Sequence, residues 1–334
     1  MDVDLFVEKY RDEWDRLRVL TRRSGRLSGA EADELITLYQ RAATHLSIVR
    51  SAAPDPVLVD RLTMLVSQAR AATTGTSAPG WRDAGMFFAQ RFPAAVYRAR
   101  HWWVPTAALF LLVSGVIAAW VASSPAVQSA IAAPDSIAEL TRPGGDFETY
   151  YSSEPAASFA AQVWTNNAYI AAASLVVGLL IVPVVFILFV NAMNVGVAAG
   201  LMADAGRLDV FFGLITPHGL LELTAVFVAA GAGMRLGWTL IDPGPRPRAR
   251  ALAEEGRTVA GMALGLAVVL LISGVIEAFV TPSGMSTAAR VGIGVAAELA
   301  FLVYVFVLGR RAALAGETGD IDARSAGDVA PVAA

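Results

Sequence analysis

The sequence contains no cysteine, which excludes disulfides, thiolate metal sites and cysteine nucleophiles. Charge is scarce: 16% of the 334 residues are charged, against roughly 25% in an ordinary soluble domain. Lysine is nearly missing, since Lys9 stands alone among 26 basic residues. With the abundance of alanine, this bias fits a GC-rich bacterial genome. A net charge of −3, with no basic stripe, gives a nucleic acid nothing to bind, and that class is set aside. Neither HExxH nor GxSxG occurs, nor a phosphate-binding loop or dinucleotide fingerprint. Apolar residues are in excess: 55% are hydrophobic, and after residue 100 they fall in long uninterrupted runs. Such a chain belongs in a membrane.

The first hundred residues carry charge at ordinary density. The opening MDVDLFVEKYRDEWDRLRVL lacks the apolar core of a cleavable signal, so the N-terminus is expected in the cytoplasm. Phe6, Tyr10, Trp14 and Leu17 recur at helical spacing. Ser28 with Glu31 has the pattern of a capping box and announces a second helix, whose apolar face includes Leu35, Leu38, Ala42 and Leu46. Asp55 and Pro56 open a third, carrying Val59, Leu62, Leu65 and Val66, before ATTGTSAPG releases the chain. Residues 1–80 are thus expected to form a cytoplasmic helical domain.

From Trp81 to Trp103 aromatics alternate with arginines: Phe87, Phe88, Phe92 and Tyr97 beside Arg91, Arg98 and Arg100. Residues 81–101 read as an amphipathic interfacial helix, divided or bent at Pro93, with guanidinium groups reaching anionic lipid. A connector helix packed on the bundle is the plainer alternative.

The expected fold class is all-α, a polytopic α-helical membrane protein with about six spans in residues 102–309. The first runs from Trp102 to Val121, with arginines before it, so the positive-inside rule places loop 122–160 outside. That loop holds Asp135, Glu139, Asp146, Glu148 and Glu154 against Arg142 alone. Ala168 to Phe189 reads as the second span and Phe211 to Ile241 as the fourth. Arg246, Arg248, Arg250 and Arg257 belong inside, and parity then requires the short segment 191–204 to cross, as a short span or half-helix. Val259 to Val280 and Val291 to Leu308 complete the set, ending at Arg310 and Arg311 inside. Residues 310–334 are expected to be a disordered cytoplasmic tail. The location implied is the bacterial inner membrane, with both termini cytoplasmic.

Ionised groups within the hydrocarbon are costly unless paired or wet, so polar residues there speak about function. In PHGLLEL, His218 and Glu222 share one helical face. Glu277 lies near the outer end of the fifth span, and Asn166 and Asn167 at the outer entrance of the second. Charge counting puts all five at a similar external depth, and they form the candidate site. Three explanations stay open: structural pairing of His218 with Glu222 and interhelical hydrogen bonds; a pocket receiving a partner segment; or metal-assisted or acid–base hydrolysis. With one histidine in the spans, no catalytic residue is assigned, no cofactor is expected and metal binding is left open. Arg235 and Glu298 are expected to pair between the fourth and sixth spans. The pairs Gly196/Gly200, Gly233/Gly237 and Gly261/Gly265 favour a compact bundle or a homodimer. His45 reads as an ordinary packed or solvated imidazole, not a ligand.

With TNN in the second span, PHGLLEL in the fourth and IEAFVTPS closing the fifth, residues 95–310 resemble the stage II sporulation protein M family. PHGLLEL and the glycine-rich helix behind it are the most specific element, and the N-terminal helices look like those of longer members. The resemblance implies an integral membrane protein that, in spore formers, associates with peptidoglycan-degrading enzymes at the septum and is needed for engulfment. It implies no catalytic residue. The expected function is therefore a non-enzymatic scaffold or partner for peptidoglycan-remodelling envelope machinery, with membrane lipid and envelope proteins as partners and a homodimer open. A transporter or flippase-like protein and an intramembrane metal-assisted hydrolase are the alternatives.

Overall fold

The computed structural model describes residues 3–24, 27–52, 55–73, 81–150 and 156–321, and the regular elements among them are all helical. The chain divides into two compact units, Met1–Ala84 and Gly85–Ala334.

In the first unit α1 (Val3–Arg22), α2 (Gly29–Ala52) and α3 (Pro56–Thr73) form a three-helix bundle. Each contributes one buried stripe: Trp14, Leu17 and Leu20; Leu35, Leu38, Ala42, Leu46 and Val49; Leu58, Leu62, Leu65 and Ala69. The helix starts are those the sequence announces. Ser28 N donates to Glu31 Oε2 at 2.9 Å and Glu31 N donates to Ser28 Oγ at 3.3 Å, a reciprocal cap. Asp55 Oδ1 accepts from Val57 N at 3.0 Å, with Pro56 opening α3.

After α4 (Trp81–Met86) and a π turn at Phe87–Arg91 come α5 (Phe92–Arg98), α6 (Arg100–Ser123), α7 (Pro125–Ile131), α8 (Pro134–Thr141) and α9 (Asp146–Thr149). They are followed by α10 (Ala156–Val177), α11 (Val182–Asp204), α12 (Leu208–Ile241), α13 (Arg248–Phe279) and α14 (Thr287–Val303), the last continuing through a π stretch into α15 (Arg310–Leu314). Among the described residues, five helices are long and apolar enough to cross a membrane: α6, α11, α12, α13 and the continuous helix Thr287–Leu314. A shorter apolar run, Trp164–Leu180, is the sixth. The antiparallel hairpin α12/α13 is the buried centre, with α6, α10 and α14 against it and α11 on α6. Leu109, Leu111, Leu112, Val116 and Trp120 on α6 and Val185, Phe186 and Phe189 on α11 are exposed, a surface that only lipid or another apolar partner covers favourably. The fold is thus an all-α, polytopic membrane fold.

One boundary differs from the sequence reading. The second span ends at Val177 and the third starts at Val182, so α11 is a full 23-residue helix and 191–204 is its second half. Between them Gly178–Leu180 forms a 3₁₀ turn and Ile181 takes a φ of 56°. Pro183, which cannot donate, sits in the first turn of α11. Asn191 does not begin a helix: its Nδ2 donates back to the Ile187 carbonyl at 2.8 Å. The turn fits because it lies on glycine, where a Cβ on Gly178 would stand 2.3 Å from the Gly233 Cα. Gly196 and Gly200 likewise meet backbone of α6, and Gly265 meets the Phe92 ring, so all three small-residue faces are used within the chain.

Residues 81–101 do not behave as one surface helix. Trp81 and Phe88 are exposed, whereas Phe92, Ala94, Ala95, Val96 and Ala99 are buried in the bundle. The tail also departs from expectation, since residues 310–321 are structured. Arg257 holds Asp320 through two contacts of 2.8 and 2.7 Å, and Arg91 Nη1 donates to the Ile321 carbonyl at 3.3 Å. Residues 322–334 lie outside the described residues.

At the other end of the bundle, the segment after α6 is folded rather than loose. Ser124 Oγ caps α7 by accepting from Val127 N, and Gln128 Nε2 donates to the Val121 carbonyl at 3.0 Å. Arg207, just before α12, pairs with Glu148 and donates to the Thr141 carbonyl at 2.7 Å. Phe147 stacks on Phe211 with centroids 5.8 Å apart. Glu148 is held below the usual carboxylate range by its bond to Arg207.

Candidate functional site

Pro217 lies inside α12 and supplies no N–H to the Gly213 carbonyl, which loosens the helix one residue before His218. α14 comes very close here, because a Cβ on Gly294 would stand 2.6 Å from Pro217 Cα. His218 and Glu222 follow on one face of α12, and Glu277 meets them from the end of α13. Ligand-type atoms of the three residues lie within 4.8 Å of one another.

Among the described residues, the closest carboxylate to His218 is across the hairpin. His218 Nε2 lies 3.6 Å from Glu277 Oε1, a charge contact too long for a good hydrogen bond. His218 Nδ1 lies 3.2 Å from Thr281 Oγ1, and Ser273 Oγ donates to the His218 carbonyl at 2.9 Å. The setting is dry: relative exposure is 6% for His218, 3% for Glu277 and 0% for Ser273 and Thr281. Glu222 is half-buried and forms the open edge. The second oxygen of Glu277, Oε2, is buried without a hydrogen-bond partner among the described residues. Tyr150, just after α9, is near enough that burial, together with the Glu277 and Glu222 carboxylates, raises its phenol above the ordinary value.

The structure brings together three of the five residues singled out in the sequence. Asn166 is exposed and Asn167 half-buried, and neither belongs to the cluster. Trp164, two residues before Asn166, donates to the Ala267 carbonyl at 3.3 Å. Ala267 is ten residues before Glu277 on α13, hence about 15 Å further along the helix. The expected Arg235–Glu298 pair is not made either. Arg235 Nη2 donates to Glu255 Oε2 at 2.7 Å, near the turn of the hairpin, and Glu298 Oε1 accepts from Thr224 Oγ1 at 2.9 Å.

Thr281, Ser273, Tyr150 and Arg290 were missed by the sequence reading. Thr281 belongs to IEAFVTPS, and Ser273 stands one helical turn before Glu277 on the same face. Arg290 donates to the Thr281 carbonyl at 2.7 Å and to Thr287 Oγ1 at 3.3 Å. Above Thr281 opens a cleft of about 300 Å³, lined among others by Glu148, Asp209, Thr287 and Arg290.

Thr281, His218 and Glu277 stand in the order of a nucleophile, base and orienting acid. Thr281 is fully buried, however, and the His218–Glu277 distance of 3.6 Å exceeds hydrogen-bond reach, so acyl transfer has no accessible nucleophile here. An imidazole and two carboxylates in a dry pocket have two chemical uses: sharing a proton or holding a cation.

Fold and site together define a polytopic α-helical membrane protein with a polar cluster buried beneath one end of its bundle. A family model described as stage II sporulation protein M matches residues 107–282, just over half of the chain, and the chain belongs to that family. Residues 4–75 match a family model described as a domain of unknown function. No curated protein and no solved structure matches the chain.

Proposed function

We propose that the chain is a non-enzymatic partner protein of cell-envelope, peptidoglycan-remodelling machinery in the bacterial inner membrane. In this reading the cleft faces outward and both termini are cytoplasmic. The arginine distribution supports that orientation: Arg98, Arg100, Arg246, Arg248, Arg250, Arg310 and Arg311 gather at the end away from the cleft. The observation that carries the partner role is the cleft itself. Arg207 ties the α8–α9 segment to the start of α12 and Arg290 ties α14 to the end of α13, so charges of both signs are held in fixed positions around a recess. Rigid, charge-bearing recesses give specificity to a protein contact.

A photo-crosslinking residue placed at Val210, in the cleft, tests this in the native host. The expected product is a discrete adduct with an envelope protein acting on peptidoglycan, lost when Asp209 and Arg290 are both reversed in charge at unchanged abundance. Adducts from Val210 no different from those at lipid-exposed Leu111 would refute the reading.

A further inference from the structure

We infer that His218, Glu222 and Glu277 hold one zinc-class divalent cation, coordinated by the imidazole and the two carboxylates. This goes beyond the partner role and does not depend on it.

Four observations lead there. The donor set is one imidazole and two carboxylates from two adjoining helices, with the donor atoms within 4.8 Å of one another. Bonds of 2.0–2.2 Å at tetrahedral angles would bring ligand atoms to about 3.3–3.6 Å apart. The His218–Glu277 pair already stands at 3.6 Å, so only Glu222, at the half-buried edge, has an appreciable distance to close. Second, Glu277 is 97% buried, its exposure being 3%, and its Oε2 has no hydrogen-bond partner among the described residues. A buried carboxylate oxygen left open is costly unless something occupies it. Third, the ring that would bind the ion is already oriented: Thr281 Oγ1 sits on His218 Nδ1 at 3.2 Å, the usual support of a metal-bound histidine, and Ser273 pins the His218 backbone. Fourth is charge. Two carboxylates in a low-dielectric site repel, and a dication makes the group neutral.

The imidazole selects among cations. Calcium and magnesium ask for six or more oxygens, whereas one nitrogen and two carboxylates with an open fourth position suit zinc or a similar transition ion. Entry is by way of Glu222, the half-exposed member of the three. Bound there, the ion would staple α12 to α13 beneath the cleft.

The test uses the full chain, purified without a histidine tag, stripped with chelator and titrated with zinc alone, with cobalt as a spectroscopic substitute. One ion per chain and the visible absorption of a four-coordinate cobalt with a nitrogen ligand are expected. Thr281→Val, a positioning change, should weaken zinc binding roughly 10–100-fold, and Glu277→Gln, which removes a ligand, by more. Glu298→Gln, whose carboxylate bonds Thr224 outside the cluster, should bind as the native chain does. Because His218→Ala could unfold the site, the isosteric Glu277→Gln is decisive, with helicity and elution volume confirming the fold. A folded native protein that takes up no zinc, or a Glu277→Gln protein that binds it equally well, overturns the assignment.

Discussion

Two of the chain's three histidines show how neighbours decide what an imidazole does. His45 lies in the first unit, where the Trp14 indole donates to its Nδ1 at 3.2 Å and the Tyr10 ring sits 4.0 Å away. Burial, with Arg41 adding and Glu13 opposing, holds its pKa below the ordinary 6.5. The unfolded chain therefore binds the proton more readily than the folded one. This contribution to stability is complete above 6.5 and is lost as pH falls through 6.5 toward the folded value. Hydrogen exchange in full-length protein, corrected for intrinsic rates, should show residues 3–73 less protected at about pH 5.5 than at about pH 7.5, and His45→Phe should flatten that difference. Equal protection of the native chain at both pH values would contradict the assignment. That His45 belongs to the helical bundle was legible in the sequence, but its packing against Tyr10 and Trp14 was not, nor was the partner of His218, which depends on hairpin register. Arg235 lies ten residues before position 245 in the α12/α13 turn and Glu255 ten after it, and His218 and Ser273 stand at 27 and 28 residues. Counted from that turn, Arg235 faces Glu255. Charge counting gave orientation but only a coarse depth, so it set Arg235 against Glu298, whose partner Thr224 lies eleven residues from Arg235 along α12, and included Asn166 and Asn167 in the cluster.

Among the helices, the decisive contacts are backbone against backbone. At Gly233 an added Cβ would stand 2.4 Å from the Ser174 carbonyl of α10, and nothing flexible is there to give way. At Gly292, on the open side of α14, a Cβ would meet nothing within 4 Å. Gly233→Ala should therefore cost about 1–3 kcal/mol or more by forcing α10 from α12. Gly292→Ala should be neutral or gain up to about 1 kcal/mol from helix propensity. Unfolding of the purified protein in graded denaturing detergent measures both, and equal effects would show that the crossing is not the constraint. The glycine spacing itself was readable in the sequence, as were the first and fourth spans with nearly their observed limits and the core of the fifth and sixth, whereas the second and third were divided in the wrong place. The break before α11 was missed because the run from Ala168 to Val190 is interrupted only by Ser174, Gly178 and Pro183 and holds no charge, so the turn of Gly178, Leu179 and Leu180 is marked only by its glycine and by the proline that opens α11. Asn191, the first polar side chain after that stretch, lies within α11 and not at its start.

For the molecule as a whole, the absence of cysteine makes orientation directly measurable. Ser129, in α7, and Ala249, at the start of α13, are both exposed and lie at opposite ends of the bundle. With the cleft outward, Ser129→Cys should react with an impermeant maleimide in intact cells, and Ala249→Cys only after permeabilisation. The reverse pattern would invert the protein in the membrane. The division into a charged N-terminal bundle and an apolar second unit was visible from composition, whereas the docked residues 317–321 were not, since a short polar segment shows no periodicity. That docking also sets an order of events during synthesis. The bond from Arg91 to the Ile321 carbonyl joins positions 230 residues apart. At roughly 5–20 residues per second, Arg91 is made roughly 10–50 seconds before its acceptor exists. Every membrane helix has been translated by then. The end of the bundle where Arg91 lies is completed only once the chain up to Ile321 has left the ribosome, and a ribosome that stalls before residue 321 leaves that end open.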